Sequence, residues 1–284
     1  MRCALVLLLV AGAAAADNRV QDPGSPWPTT VDMPRATAMG GAHSAIATGN
    51  DALAVNPAGL AQFRRYHLEV DGLYDSKFPA QAVLASLVDS ATGPVASGVL
   101  WSRWASGQPS GRGEGWSLGL AYSGVIGPGL FLGGETKYLH FHTPDGMVQK
   151  LVQDVGFLAK RGNFSWAAVV QNLSVDKVPL FPILATAGVA WGTDSDWHLA
   201  FDYRADFSDT SNVKSRLAGG VEMLVGDALA LRGGATWDTS AKQWWLSAGV
   251  GLLTEKGGIQ LVWRRRVEGP YDQFFQAGLT VFLQ

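Results

Sequence analysis

The sequence predicts a transmembrane antiparallel β-barrel of about fourteen strands, on three observations. From about Arg64 to the C-terminus the chain alternates apolar and polar residues with period two, in segments of roughly ten residues, the length of a tilted membrane-spanning strand. Charged residues make up only 16% of the 284 residues, which is low for a protein that wets its whole surface. The chain also begins with an export signal and carries no later apolar run long enough to span as a helix.

Residues 1–16 read as a signal peptide. Arg2 supplies the positive region, ALVLLLVAGA (Ala4–Ala13) is too short to span a bilayer, and small residues place the cut near Ala16. Cys3 is the only cysteine and lies ahead of the apolar run, whereas a lipidated cysteine would follow it. The mature chain therefore has no cysteine, so neither a disulfide nor a cysteine-based metal site is available to it. Residues 17–33 (DNRVQDPGSPWPTTVDM) are polar and proline-rich, a periplasmic linker. Residues 34–62 are small and nearly uncharged, with glycines at 40, 41, 49 and 59 that permit tight bends and an Asn56-Pro57 pair that ends a helical turn.

Residues 63–284 are the barrel. Its strands are expected to begin near Arg64, Phe78, Gly93, Glu114, Gly129, Gln149, Asn163, Pro182, Ser195, Val213, Asp227, Lys242, Gly258 and Asp272. WSLGLAY sets Trp116, Leu118, Leu120 and Tyr122 against Ser117, Gly119 and Ala121. WHLAFDYR sets Trp197, Leu199, Phe201 and Tyr203 against His198, Ala200, Asp202 and Arg204, and FFQAGLTVFLQ repeats the scheme from Phe275 to Leu283. One face is aliphatic with aromatics near the strand ends, and the other is polar, charged or glycine. A soluble sandwich would bury the first face and wet the second. The aromatic ends and the glycine-rich, charge-bearing opposite face instead fit a lipid-facing wall and a polar lumen. Connections such as ASGQPSGRG, SVDKVPLF and DFSDTSN alternate with short ones such as IGP, RGN and GD, as outer loops alternate with periplasmic turns.

The stretch RATAMGGAHSAIATGNDALAVNPAGLA (Arg35–Ala61) resembles the N-terminal signature of the FadL/TodX-like outer-membrane superfamily, closest to its branch of PorV-type and conjugative TraF-type proteins. QDVGFLAKRGNFSWAAVVQNL (Gln153–Leu173) and RLAGGVEMLVGDALALRGGATW (Arg216–Trp237) are similar to paired strands of the same branch. The resemblance implies a fourteen-stranded barrel in the outer membrane of a Gram-negative bacterium, with residues 34–62 folded inside as a hatch. Met39, Gly40, Gly41, Asn50, Asn56, Pro57, Ala58 and Gly59 carry that signature. It further implies passive transport of small hydrophobic molecules, or else a PorV-like accessory barrel that anchors or hands over secreted proteins. The chain is short for the superfamily, so elements that collect ligand outside the cell are expected to be reduced.

By alternation Glu69, Asp71, Glu135, Lys137, Asp154, Lys160, Asp202, Lys214, Arg216, Glu222, Arg232 and Arg264 face the lumen, where opposite charges at similar depth are expected to pair into a bracing network. Arg232 and Glu222 are expected to belong to it. His140 and His142 share one strand face near a rim, and two imidazoles are too few for a metal site. In WRRR, Arg264 and Arg266 point inward and Arg265 lies at the interface. No Ser-His-Asp order, nucleophile elbow or phosphate loop is present, so no enzyme activity, cofactor or metal is expected. A net charge of −2 argues against a nucleic-acid partner. Outer-membrane lipid is the expected surrounding, with hydrophobic small molecules or secreted proteins as candidate partners.

Overall fold

The computed structural model describes residues 32–75, 80–105, 114–143, 146–174, 181–207, 213–226, 228–268 and 273–283. The signal peptide and most of the linker lie outside the described residues, as do the expected strand starts at Phe78, Asp227 and Asp272. The fourteen strands are β1 Tyr66–Asp75, β2 Ala80–Asp89, β3 Val95–Ala105, β4 Gly115–Gly127, β5 Leu130–Thr143, β6 Gly146–Arg161 and β7 Phe164–Leu173, followed by β8 Leu184–Gly192, β9 Trp197–Asp206, β10 Lys214–Val225, β11 Leu229–Asp238, β12 Gln243–Thr254, β13 Gly257–Arg266 and β14 Gln273–Leu283. Each pairs with its chain neighbours, and β1 closes on β14 through an antiparallel ladder from Tyr66–Leu283 to Asp75–Phe274. Closure leaves no strand edge unpaired, the condition for putting a sheet in lipid. Sequence periodicity misplaces β6 most: it starts at Gly146 rather than near Gln149 and pairs with β5 from Gly146 to Ala159.

Alternation sets the two faces of the wall. Trp197, Leu199, Phe201 and Tyr203 are exposed on the outside of β9, while His198, Ala200 and Asp202 between them are buried in the lumen. Leu118, Leu120 and Tyr122 are likewise exposed on β4. Aromatic pairs mark both rims. Trp116–Tyr138 (5.4 Å) and Trp237–Trp244 (5.0 Å) lie at the loop end, and Phe157–Trp166 (4.9 Å) and Trp191–Trp197 (5.8 Å) at the short-turn end. Aromatic residues at both rims are the pattern of the girdles of membrane barrels. Leu120 lies at the middle of β4 and is 56% exposed. Leu120→Arg is expected to destabilise the folded barrel by about 2–4 kcal/mol, measured by equilibrium folding into liposomes.

The longest connections lie at one end. Residues 128–129, 162–163 and 255–256 are tight turns at the end where β1 begins, whereas 106–114, 174–183 and 207–213 connect strands at the other end. One irregularity breaks the ladder at the loop end: the β6–β7 register shifts between Gln153 and Val155, and Asn172 takes φ 59°. The bulge turns two consecutive residues, Gln171 and Asn172, into the lumen opposite Asp154.

The lumen is filled by the chain's own N-terminal segment: α1 Pro34–Ala38, α2 Gly49–Val55 and a 3₁₀ helix Pro57–Gln62. Pro34 starts α1, where its missing N–H costs nothing, and Asn56 ends α2 and caps the 3₁₀ helix by accepting the Ala58 N–H at 3.1 Å. Two apolar clusters fix the segment to the wall. Met33, Leu53, Val55 and Leu60 pack with Leu84, Val88, Leu100 and Leu139, and Met39, Ala45, Ile46 and Ala58 pack with Leu158, Ala190 and Ala200. Each such leucine contributes about 1.5–3 kcal/mol of burial.

Two sequence expectations change here. Met33 does not belong to a linker: it is fully buried in the barrel, and Asp32 is nearly so, because both sit under the loop-end part of the wall. The lumen is also not uniformly polar. Its β2–β6 arc is lined by Leu84, Leu100, Leu139, Phe141 and Val152, with Trp104 among them, since these strands face an apolar helix rather than water.

Candidate functional site

The seat of the N-terminal segment is a set of lumen positions without side chains. A Cβ added at Gly133 would lie 2.5 Å from the Ala58 nitrogen, one at Gly156 would lie 2.0 Å from Asn56 Oδ1, and one at Gly234 would lie 2.2 Å from the Met39 carbonyl carbon. Gly220 and Gly249 are approached in the same way by Met39 and Ala38. The segment reciprocates. Gly40 and Gly41 take φ 70° and 88°, and Gly59 leaves room for the Ala47 carbonyl, which a Cβ there would meet at 2.0 Å. Backbone therefore meets backbone across the lumen at several points, and the fit admits no larger residue on either side.

Polar contacts hold the segment at three places. At the short-turn end Arg35 donates from Nε to Glu222 Oε2 at 2.8 Å and from Nη2 to Glu222 Oε1 at 2.6 Å. Glu222 also accepts from Arg232 Nε at 2.5 Å, across the β10–β11 pair. His198 Nδ1 stands 3.5 Å from Glu222, and His198 Nε2 stands 3.4 Å from Asp194, which also pairs with Lys160. Arg35 Nη1 lies 3.7 Å from Asp51, and His43 Nε2 lies 3.4 Å from the same carboxylate. Burial works against the Arg35 charge, but the Glu222 carboxylate more than offsets it and holds the guanidinium above its ordinary range. Burial likewise pushes Asp51 up, and the His43 ring and Arg35 outweigh it, so the carboxyl sits below its usual range. Asp194, in the β8–β9 turn, is held low by His198 first and Lys160 second.

In the middle of the barrel, Asp202 Oδ2 accepts the backbone N–H groups of His43 (3.2 Å) and Ser44 (3.0 Å). Asn56 Nδ2 donates to the Ser44 carbonyl at 2.9 Å and to the Phe157 carbonyl at 3.3 Å, and Asn50 Nδ2 donates to Ser86 Oγ at 2.6 Å. At the loop end the β7 bulge supplies the third hold. Gln171 Nε2 donates to the Ala54 carbonyl at 3.0 Å, beside a Lys137–Asp154 pair at 2.7 Å whose lysine also donates to Asn172 Oδ1.

The structure thus brings Glu222, Arg232, Lys137, Asp154 and Asp202 into contacts that bind the segment or brace its seat, and pairs Arg216 with Asp238 at 2.8 Å. It does not bring every inward carboxylate to a cation. The Asp71 carboxyl lies against Glu69, Gly278 and Pro34 with no basic residue beside it, and neither Glu135 oxygen has a hydrogen-bond partner among the described residues, because the neighbouring Lys137 turns to Asp154 and Asn172 instead. Lys214 is exposed, and Lys160 pairs at the turn rim. His140 stacks on Trp116 on the outer side of β5, away from the lumen, and the described residues hold no group of three or more metal-ligating side chains.

Sequence reading missed Arg35, Asp51, Gln171 and Asn172. The first two lie in a segment too short to show a facing, and the other two are turned inward by a bulge that a strict period of two cannot register.

Asp51 gives a testable pH response. Its depressed folded value means that its contribution is present above the unfolded carboxylate value, ~3.9, and is lost as pH falls through the folded one. Limited proteolysis of residues 34–62 is expected to speed up in acid, and less so in Asp51→Asn.

Cavities lie on both sides of the segment. A cavity of about 450 Å³ opens at the short-turn end and is lined by Arg35, Asp51, His67, Glu69, Glu222 and Arg232 among others. A smaller one, about 90 Å³, lies at the loop end between Leu53 of the segment and Leu84, Leu100, Trp104, Leu139 and Leu184.

No protein-family model and no curated protein matches the sequence. Solved structures do. A Pseudomonas aeruginosa FadL homologue aligns with a TM-score of 0.68 at 11% identity, over 89% of this chain and 98% of that one. The Ralstonia pickettii toluene transporter TbuX aligns at 0.65 and 13% identity, again over 89% and 98%. The Pseudomonas putida toluene transporter TodX aligns at 0.61 and 14%, with the same coverage. At such identities the likeness is one of fold: a closed fourteen-stranded antiparallel barrel.

Proposed function

We propose that the protein is an outer-membrane channel of a Gram-negative bacterium through which small hydrophobic molecules cross passively, with residues 34–62 as its hatch. The observation that carries this reading is the loop-end cavity. Leucines from four strands, Trp104, Phe181 and Leu53 of the segment form the apolar part of its lining, and Asp32, Lys137, Gln171, Asn172 and Arg204 add polar groups around them, the mixture that suits a small, mostly apolar solute. The fold likeness to toluene transporters lends support. On this reading the loop end faces outside, the short turns face the periplasm, and the solute passes only when the segment shifts from its seat. No catalytic step is involved.

The test uses the cysteine-free mature chain. A pair of cysteines at Ala54 and Gln171, whose side chain spans the gap to the Ala54 carbonyl, joined by a short reducible bis-methanethiosulfonate bridge, ties the segment to the wall. Cells carrying the bridged pair are expected to take up a labelled monoaromatic hydrocarbon no faster than cells without the protein, and reduction is expected to restore the wild-type rate. Uptake that ignores the crosslink would count against a moving hatch, and a wild type without uptake would sink the transport reading.

The motif resemblance at Arg35–Ala61 and Gln153–Leu173 supports a second reading, an accessory barrel that anchors or hands over secreted proteins. Stoichiometric recovery of protein partners after gentle detergent extraction would favour it over transport.

A further inference from the structure

We propose that the chamber at the short-turn end binds a small primary amine, whose ammonium group takes the idle oxygens of Asn50, Asp51 and Glu69. The amine thereby joins the N-terminal segment, which carries the first two residues, to strand β1, which carries the third. The site is separate from the loop-end cavity and does not depend on which solute crosses the lumen.

The chamber, of about 450 Å³, is unevenly matched. Three buried side-chain atoms in its lining have no hydrogen-bond partner among the described residues, and all three are oxygens: Asn50 Oδ1, Asp51 Oδ1 and Glu69 Oε1. Their residues are 2%, 7% and 4% exposed, so bulk water does little for them. A buried acceptor without a donor keeps its desolvation cost unrelieved. No buried donor in the same lining is left idle. The chamber is therefore short of N–H groups, not of oxygens.

The three oxygens belong to one corner. Asn50 Nδ2 donates to Ser86 Oγ at 2.6 Å, and Ser86 is the register partner of Glu69 across the β1–β2 pair. Asn50 and Glu69 thus meet at Ser86, and Asp51 follows Asn50 in α2. Asp51 faces Arg35 and His43 through Oδ2, which leaves Oδ1 free for a ligand. The arginines along the same wall are spent elsewhere. Arg35 gives Nε and Nη2 to Glu222 and Nη1 to Thr48, while Arg232 gives Nε to Glu222 and Nη1 to Gln260.

An ammonium carries three N–H donors and a charge that suits two carboxyl groups. The described residues hold no group of three or more side chains placed as metal ligands, which favours an organic cation over a metal ion. The rest of the molecule also has room. A cavity of ~150 Å³ holds benzene, and Leu224, Leu253 and Phe282 give an alkyl chain an apolar surface in the same chamber. Because the oxygens come from both the segment and the wall, the amine binds only while the segment is seated, and so stabilises it there.

The experiment is calorimetric titration of the full mature chain in lipid nanodiscs with propylammonium and with tetramethylammonium, which carries the same charge and no N–H. Propylammonium is expected to bind about ten-fold more tightly or better. Glu69→Gln, which keeps the shape and removes the charge, is expected to lose most of that binding. Glu135→Gln, at a lumen carboxyl outside the chamber, is expected to leave it unchanged. In the wild type, propylammonium is expected to slow proteolysis of residues 34–62, and tetramethylammonium is not. The two-cation comparison and the proteolysis need no variant, so they decide the matter even if Glu69→Gln folds poorly. Equal binding of the two cations, full propylammonium affinity in Glu69→Gln, or cleavage that ignores propylammonium overturns the site. Each of these outcomes leaves hydrocarbon uptake in cells, and with it the transport reading, untouched.

Discussion

Glu222→Ala is expected to free residues 34–62 from the barrel and raise conductance in planar bilayers from near zero to that of an open pore. Among the described residues, Glu222 is the one carboxylate that both Arg35 of the segment and Arg232 of the wall grip directly. Its removal leaves Arg232 without its carboxylate and Arg35 with only Asp51 at 3.7 Å, in a site where Arg35 is 16% and Arg232 4% exposed at the side chain. Breaking a buried pair in this way costs about 3–5 kcal/mol, because the surviving charges keep their desolvation penalty without the attraction that offset it. The strand ladder itself loses nothing, so the barrel is expected to stay folded by heat-modified mobility on gels. Arg35→Met should have a smaller effect than Glu222→Ala, since it leaves Glu222 paired with Arg232. A double-mutant cycle between the two is expected to show coupling of about 1 kcal/mol or more. Unchanged conductance in Glu222→Ala would mean that the apolar clusters alone retain the segment.

The second large effect comes from two adjacent glycines with opposite facings. Gly234 points into the lumen, where a Cβ would lie 2.2 Å from the Met39 carbonyl carbon and 2.3 Å from the Gly40 nitrogen. Gly233 points outward, where the nearest heavy atoms to a new Cβ are 4.0 Å away. Gly234→Val is therefore expected to expel the segment from its seat, with the same open-pore signature, at a cost above the ~1–3 kcal/mol of ordinary overpacking because backbone meets backbone. Gly133→Val, whose Cβ would meet the Ala58 nitrogen at 2.5 Å, is expected to behave alike. Gly233→Val is expected to leave conductance at the wild-type level, since valine suits a lipid-facing strand. If Gly233→Val and Gly234→Val gave the same conductance, the seat described for α1 would be wrong.

Much of this molecule is readable without coordinates, for reasons that are local. A strand that crosses lipid must alternate, so Trp116–Tyr122 and Trp197–Tyr203 declare their outward face within seven residues each. The strand number follows from counting such runs, and thirteen of the fourteen starts lie within two residues of the expected positions. The inward facing of Glu222 and Arg232 follows from the same rule, as does the small-residue character of Met39–Ala61, which any segment confined in a lumen must have.

What the period of two leaves open is which inward residue meets which. Arg35 and Glu222 are separated by 187 positions in the chain, and no local pattern encodes that meeting. Nor does alternation show that Lys137 pairs with Asp154 rather than Glu135, that a bulge at Asn172 turns Gln171 onto the segment, or that leucines gather on the lumen face of the β2–β6 arc. Sequence by itself determined the wall, because lipid imposes the same short-range rule on every strand. The contents of the lumen were decided only in the tertiary structure, because closing the barrel brings fourteen separate stretches against one folded segment and lets shape and charge at each contact depend on residues far apart in the chain.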